Sequence, residues 1–179
     1  IPVDACIVTT PPQAAHALLP RAVVARAPWC HLPALGASPI VSAHLWYDRP
    51  VLDADFAGLV GTTTQFVFDR TRMCGVAVEG GGSQLSAVIS AAHAEQRWDV
   101  DHIAAVVEGD LRAVFPRARD ARVLRVVVVK EKQATISCTP EAERLGPGAE
   151  TPLDNLCLAG DWTATGLPPT IEGAVLSGD

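Results

Sequence analysis

Strict alternation of apolar and polar positions dominates the middle of the chain. In PIVSAHLWYD (39–48), Ile40, Ser42, His44 and Trp46 fall on one side, and Val41, Ala43, Leu45 and Tyr47 on the other. Both sides are half apolar, as in a sheet covered on two faces. GLVGTTTQFVFDR (58–70), GVAVEG (75–80) and QLSAVISAA (84–92) continue the pattern between turn signals that include Gly80-Gly81-Gly82. This stretch predicts an antiparallel or mixed sheet. The period then changes. In WDVDHIAAVVEGDLRAVFP (98–116), Ile103, Val106, Val107, Leu111, Val114 and Phe115 share one helical stripe. Asp99 or Asp101 can cap its start, and Pro116 lies beyond its end. VLRVVVVKEKQATIS (123–137) returns to strand-like sequence.

Toward the start, ACIVTT (5–10) is a short β-rich run, Pro11-Pro12 can open a helix through QAAHALL, and Pro20 stops it. From Arg21 to Pro39 the chain is rich in Pro and Ala with little periodicity, which predicts loop, short helix and a domain boundary. After the loop-like TPEAERLGPGAETP (139–152), NLCLAGD (155–161) reads as a short buried strand. IEGAVLSGD (171–179) reads as the opening turns of a helix starting at Thr170 or Ile171. The class predicted is α/β (α+β).

Composition narrows the partners. Apolar residues make up 49% and mean hydropathy is +0.23, yet no apolar run approaches the roughly 18 residues of a membrane span. Fourteen basic against twenty acidic side chains, with no Lys/Arg cluster, argue against nucleic acid. Cys6, Cys30, Cys74, Cys138 and Cys157 are scattered without C-x-x-C spacing. That argues against a disulfide framework or a zinc site and fits a reducing, cytoplasmic setting. The opening IPVDACIVTTPP, without an initiator Met or leader, predicts a fragment.

Several motif candidates fail on context. GGGSQLS precedes a strand-like run rather than a helix, so it reads as a turn and not a phosphate loop. GPGAET lacks the third glycine of a dinucleotide fingerprint, and no G-x-S-x-G elbow exists. The five histidines show no metal-ligand spacing; His93 and His102 read as surface residues. The last twenty-two residues are more coherent. Leu156-Cys157-Leu158-Ala159 would be a strand, Gly160 would allow close approach to the backbone, and Asp161 would sit at the strand's carboxyl end, where α/β folds place ligand contacts. A carboxylate there can accept hydrogen bonds from sugar-like hydroxyls. Gly166 and Pro168-Pro169 then lead into a helix whose free N–H groups would face the same cavity. The competing reading makes Asp161 a turn cap, Thr170 a helix cap and Glu172 a complement to the helix dipole.

AGDWTATGLPPTIEGAVLSG (159–178) resembles the C-terminal flavin-binding motif of the FAD-dependent amine oxidase and phytoene desaturase superfamily. VTTPP (8–12) and KEKQAT (130–135) resemble further stretches of that group. TTTQFVFDR, KEKQAT and LAGDWTATGLP are most similar to its squalene-associated branch, the bacterial hydroxysqualene dehydroxylases of hopanoid biosynthesis. The resemblance implies that Asp161 bonds the ribityl chain of FAD, Gly160 gives the tight approach before it, and the Ile171 N–H reaches the flavin N1/O2 edge. Glu172, Gly173 and Ala174 would complete the helix start. The superfamily's G-x-G-x-x-G turn and its acidic partner are missing from these 179 residues, so the resemblance implies half an FAD site. Pro169 also stands where a smaller residue, Ala or Ser, is usual.

The implied organisation places 1–20 and 150–179 in an incomplete, Rossmann-like FAD-binding domain. Residues 21–120 would form a substrate domain with a mixed or antiparallel sheet, and 121–149 a return segment. The implied activity is flavin-dependent redox chemistry on a long isoprenoid, the reductive dehydroxylation of hydroxysqualene. The expected partners are that apolar substrate, the missing N-terminal half and the surface of the inner membrane. Trp46, Phe66 and Phe68 are candidate tunnel-wall residues, with plain core packing as the alternative. Asp69 and Arg70 either assist departure of a hydroxyl or form a structural pair; no catalytic residue or metal ligand is assigned. An amine-oxidase, protoporphyrinogen-type or carotenoid-desaturase flavoenzyme, or a non-catalytic interaction module, remains as the alternative.

Overall fold

The computed structural model describes residues 2–179, and the chain divides into two units. Unit 2 is the contiguous Pro39–Lys132; unit 1 takes the residues up to Ser38 together with Gln133–Asp179. In chain order the elements are β1 (Cys6–Val8), α1 (Pro12–Leu18), α2 (Arg21–Val24), a 3-10 helix (Trp29–Ala34), β2 (Ala37–Tyr47), β3 (Phe56–Gly58), β4 (Phe66–Asp69) and α3 (Arg70–Cys74). There follow β5 (Ser83–Ser90), α4 (Val100–Val114), α5 (Pro116–Asp120), β6 (Val123–Ile136), α6 (Pro140–Leu145), β7 (Leu156–Leu158) and α7 (Ile171–Leu176).

Five strands form one sheet in the order β3-β4-β5-β2-β6, with β3–β4, β4–β5 and β2–β5 antiparallel. The register pairs Val41 with Ile89, Leu45 with Leu85 and Val67 with Ala87, so apolar residues align across one face. That face shares a buried core with Ile103, Val107 and Leu111 of α4. The α4 stripe is the predicted one at these three positions, and Asp99 caps it by accepting from the His102 N–H at 2.7 Å. Ile40, Ser42, His44 and Trp46 lie on the opposite face and are half-buried.

Three segments differ from the pattern-based expectation. The run 58–70 is not one strand: β3 and β4 are joined by a turn with Gly61 at φ +80°, and the buried Thr64 donates its N–H to Asp110 Oδ2 at 2.7 Å. The run 75–80 is not a strand either, because Gly75 closes α3 in the left-handed conformation at φ +66°. Residues read as loop after Thr139 form α6. Pro140 occupies its first turn, and Thr139 Oγ1 accepts from the Ala142 N–H at 3.1 Å.

In unit 1, β1 and β7 pair in parallel, Cys6 with Leu156 and Val8 with Leu158. The units part at 38/39 and 132/133; the first lies within the 21–39 stretch that composition marked, while the organisation implied by the resemblance had its borders at 20/21 and 120/121. The reason is packing. Val23 of α2, Leu32 of the 3-10 helix and Leu35 are buried with Val8, Ala15, Leu156 and Leu158, and Ala142 of α6 joins them. A Pro-rich stretch without periodicity still carries three apolar anchors into that core. No helix among the described residues is long and apolar enough to cross a membrane.

Candidate functional site

The chain leaving β7 turns sharply at Gly160, whose φ of +150° is open to glycine and hardly to other residues. A Cβ there would lie 2.6 Å from the Trp162 indole nitrogen, so the close approach that Gly160 permits is made by Trp162. The Trp162 ring is 3% exposed and donates from Nε1 to the Thr10 carbonyl at 3.1 Å, tying this turn to the end of β1. From the other side the Gly160 N–H donates to Ser177 Oγ at 2.8 Å, and that hydroxyl donates to the Ala174 carbonyl at 2.6 Å. Thr163 Oγ1 closes the turn onto the Gly160 carbonyl at 2.8 Å. The loop is therefore held at both ends before any ligand enters.

Asp161 emerges from this turn half-buried, and Thr135 of β6 donates its hydroxyl to Asp161 Oδ2 at 2.6 Å. No backbone N–H bonds the carboxylate among the described residues, so it does not cap the turn. A cavity of about 230 Å³ opens beside it, lined among others by Thr9, Gln13, Thr135, Gly160, Asp161 and Ala174. A second cavity of about 440 Å³ shares Ile136, Asp161 and Trp162 with the first and is bounded farther out by Thr139, Leu167 and Pro169. Thus Gly160, Asp161 and Ala174 come together at one cavity. Ile171, 87% exposed, and Glu172 line neither cavity.

Gly173 is buried beneath the start of α7. Its N–H is taken by Thr170 Oγ1 at 3.1 Å, and an added Cβ would meet the Pro168 carbonyl at 3.0 Å. Thr170 is therefore the cap of α7, and at six residues α7 has a weak dipole.

In unit 2, Phe56, Phe66 and Phe68 stack on the sheet face away from α4, with ring centroids 6.1 and 6.3 Å apart. Trp46 lies on the same face two strands away, beneath the Arg125 guanidinium at 5.0 Å. Between them His44 Nδ1 is 2.8 Å from Ser86 Oγ. Burial, and then the nearby Arg70 charge, hold this imidazole below its ordinary pKa and favour the neutral ring. Asp69 is 1% exposed and accepts from the Arg72 N–H at 3.0 Å, capping α3; Arg70 is exposed. Sequence reasoning had not singled out Thr135, Trp162, Ser177 or His44.

The flavin containing amine oxidoreductase family matches over residues 1–179. The chain belongs to this family. It is 34% identical over 180 residues to a hydroxysqualene dehydroxylase of Sinorhizobium fredii, and 27% identical over 183 residues to a 15-cis-phytoene desaturase of Synechococcus elongatus. Each alignment covers 99% of this chain but only 37% and 39% of those relatives. An oxidoreductase from Methanosarcina mazei superposes with a TM-score of 0.67 at 20% identity, over 98% of this chain and 42% of that one, which is a likeness of fold. The chain is a mixed α/β member of a flavin oxidoreductase family, and it spans well under half the length of these relatives.

Proposed function

We propose that the chain is the C-terminal portion of an FAD-dependent oxidoreductase, that Asp161 faces the ribityl chain of the cofactor, and that the substrate is hydroxysqualene, reduced to squalene. The observation that carries the cofactor reading is the Asp161 carboxylate at the edge of a cavity. One of its oxygens accepts from the Thr135 hydroxyl, and the carboxylate borders the cavity. Such a group suits a polyol that donates hydrogen bonds. Cavities of about 230 and 440 Å³ both border Asp161, so there is room for a ligand beside the carboxylate.

In this reading Gly160 and Ala174 shape the wall next to the ribityl chain, and the Ile171 N–H, with Glu172 and Gly173 behind it, contributes to the flavin edge. When bound, the flavin supplies hydride transfer. Unit 2 supplies an apolar bed. Phe66, Phe68 and Trp46 offer hydrocarbon and aromatic surface worth roughly 25 cal/mol per Å² covered. The neutral His44, steadied by Ser86, is a polar group that can exchange one hydrogen bond with a hydroxyl. A membrane surface is the natural source of such a lipid. Support for the substrate comes from this face together with the 34% identity to a hydroxysqualene dehydroxylase.

Two outcomes test the cofactor reading. Purified alone, the 179 residues carry no stoichiometric flavin, as read from visible absorbance; a yellow fragment would contradict the half-site. In the full-length protein, Asp161→Ala weakens FAD binding about tenfold or more, because a hydrogen bond to a charged group contributes about 1.5–3 kcal/mol. Unchanged affinity in a folded variant would remove Asp161 from the cofactor site.

A further inference from the structure

Building on the reading of Asp161 as a cofactor-facing acid, we propose that Thr135 is its positioning residue and makes the site selective for a neutral polyhydroxyl segment. A free Asp carboxylate swings broadly about its last torsion, so by itself it offers a ligand no fixed acceptor. Here it is not free. Thr135, on β6, donates to Oδ2 at 2.6 Å, within the short range of hydroxyl-to-carboxylate bonds. Both residues line the same cavity.

The hydroxyl has one proton, and this contact uses it; the Pro169 carbonyl stands at the distance limit, 3.5 Å away. What the pair then presents is a second carboxylate oxygen and the lone pairs of Thr135 Oγ1. Those are acceptors, with no donor among them. A chain of hydroxyl groups can donate to both. A phosphate, which needs donors, finds none on this pair and is repelled by the carboxylate charge. The same bond joins β6 to the turn after β7, residues 26 apart in sequence, so the acceptor's place is set by tertiary structure and not by the local loop.

The test uses the full-length protein and two small flavins, riboflavin with its ribityl chain and lumiflavin with a methyl in its place, whose dissociation constants are read by fluorescence quenching. Wild type prefers riboflavin. Asp161→Ala loses that preference, and Thr135→Val loses about tenfold of it, as expected for a carboxylate freed from a charge-assisted bond. Thr135→Ser, which keeps the hydroxyl, stays within about twofold of wild type. Thr135→Ala serves as a second hydroxyl-free variant, with circular dichroism reporting the fold. A role confined to packing would shift both flavins equally and leave the ratio unmoved. If Asp161→Ala abolishes the preference while Thr135→Val and Thr135→Ala keep it, the positioning role is overturned and the Asp161 reading stands. If Asp161→Ala keeps the preference, the cofactor reading fails and this proposal with it.

Discussion

With hydroxysqualene as the substrate, as proposed above, Phe66→Glu in the full-length enzyme lowers squalene formation at least about 100-fold, about 2.7 kcal/mol in the barrier, while FAD remains bound. Phe66 stacks on Phe68 but is itself 45% exposed, and the core contact of β4 is made by its neighbour Val67. A carboxylate at position 66 therefore leaves the fold intact and places a charge where a hydrocarbon chain would lie. Desolvating that charge against an apolar substrate costs several kcal/mol. Trp46→Asp acts in the same direction and also removes the surface under Arg125. The measurement is squalene produced from reduced flavin and hydroxysqualene, beside the flavin absorbance of the same sample. Turnover within a few-fold of wild type would return Phe66 and Trp46 to ordinary packing. Oxidation of small amines, without turnover of hydroxysqualene, would move the protein to the amine-oxidase branch.

Gly82→Ala is the largest stability defect expected of any glycine in unit 2. A Cβ at this position would lie 2.1 Å from the Tyr47 carbonyl oxygen and 2.8 Å from Val78 Cγ1. The carbonyl belongs to the last residue of β2, held in register against Ser83, so it cannot retreat without breaking the β2–β5 ladder. Overpacking of this kind costs about 3 kcal/mol or more, roughly 6–12 °C in melting temperature for a chain of this size. Gly80 and Gly81 sit at φ +75° and +77° with open space around them, so alanine there meets only backbone strain of about 1–2 kcal/mol. Equal melting temperatures for Gly82→Ala and Gly80→Ala would show that β2 yields at this point.

Period alone was enough to find β2, β5 and α4, because each is long and buries one regular face, and β6 was legible as a long β-branched run although it is only partly buried. It failed where elements are short. β3 and β4 have three and four residues, too few to set a period, and Gly61 and three threonines form the turn between them. α6 was detectable in principle, since Thr139 and Pro140 form a cap and first turn, but its single buried residue, Ala142, leaves no stripe. At the candidate site, Gly160 and Asp161 stand out locally as a strand end. Thr135 does not: as the last residue of KEKQAT it looks like any β-branched strand residue until the fold sets it against a carboxylate 26 positions later. Trp162 gives no local signal either, because its acceptor, the Thr10 carbonyl, lies 152 residues upstream.

That last separation has a consequence for biosynthesis. β1 leaves the ribosome long before β7 exists, and at about 5–20 residues per second the Thr10 carbonyl waits roughly 8–30 s for Trp162. Unit 2 is uninterrupted in sequence and can complete its core during that interval. The turn that carries Asp161 can acquire its partners only at the end of synthesis, so in the nascent chain Val8 and the pairing edge of β1 wait for β7. Slower translation lengthens the interval in which β1 has no β7 to pair with.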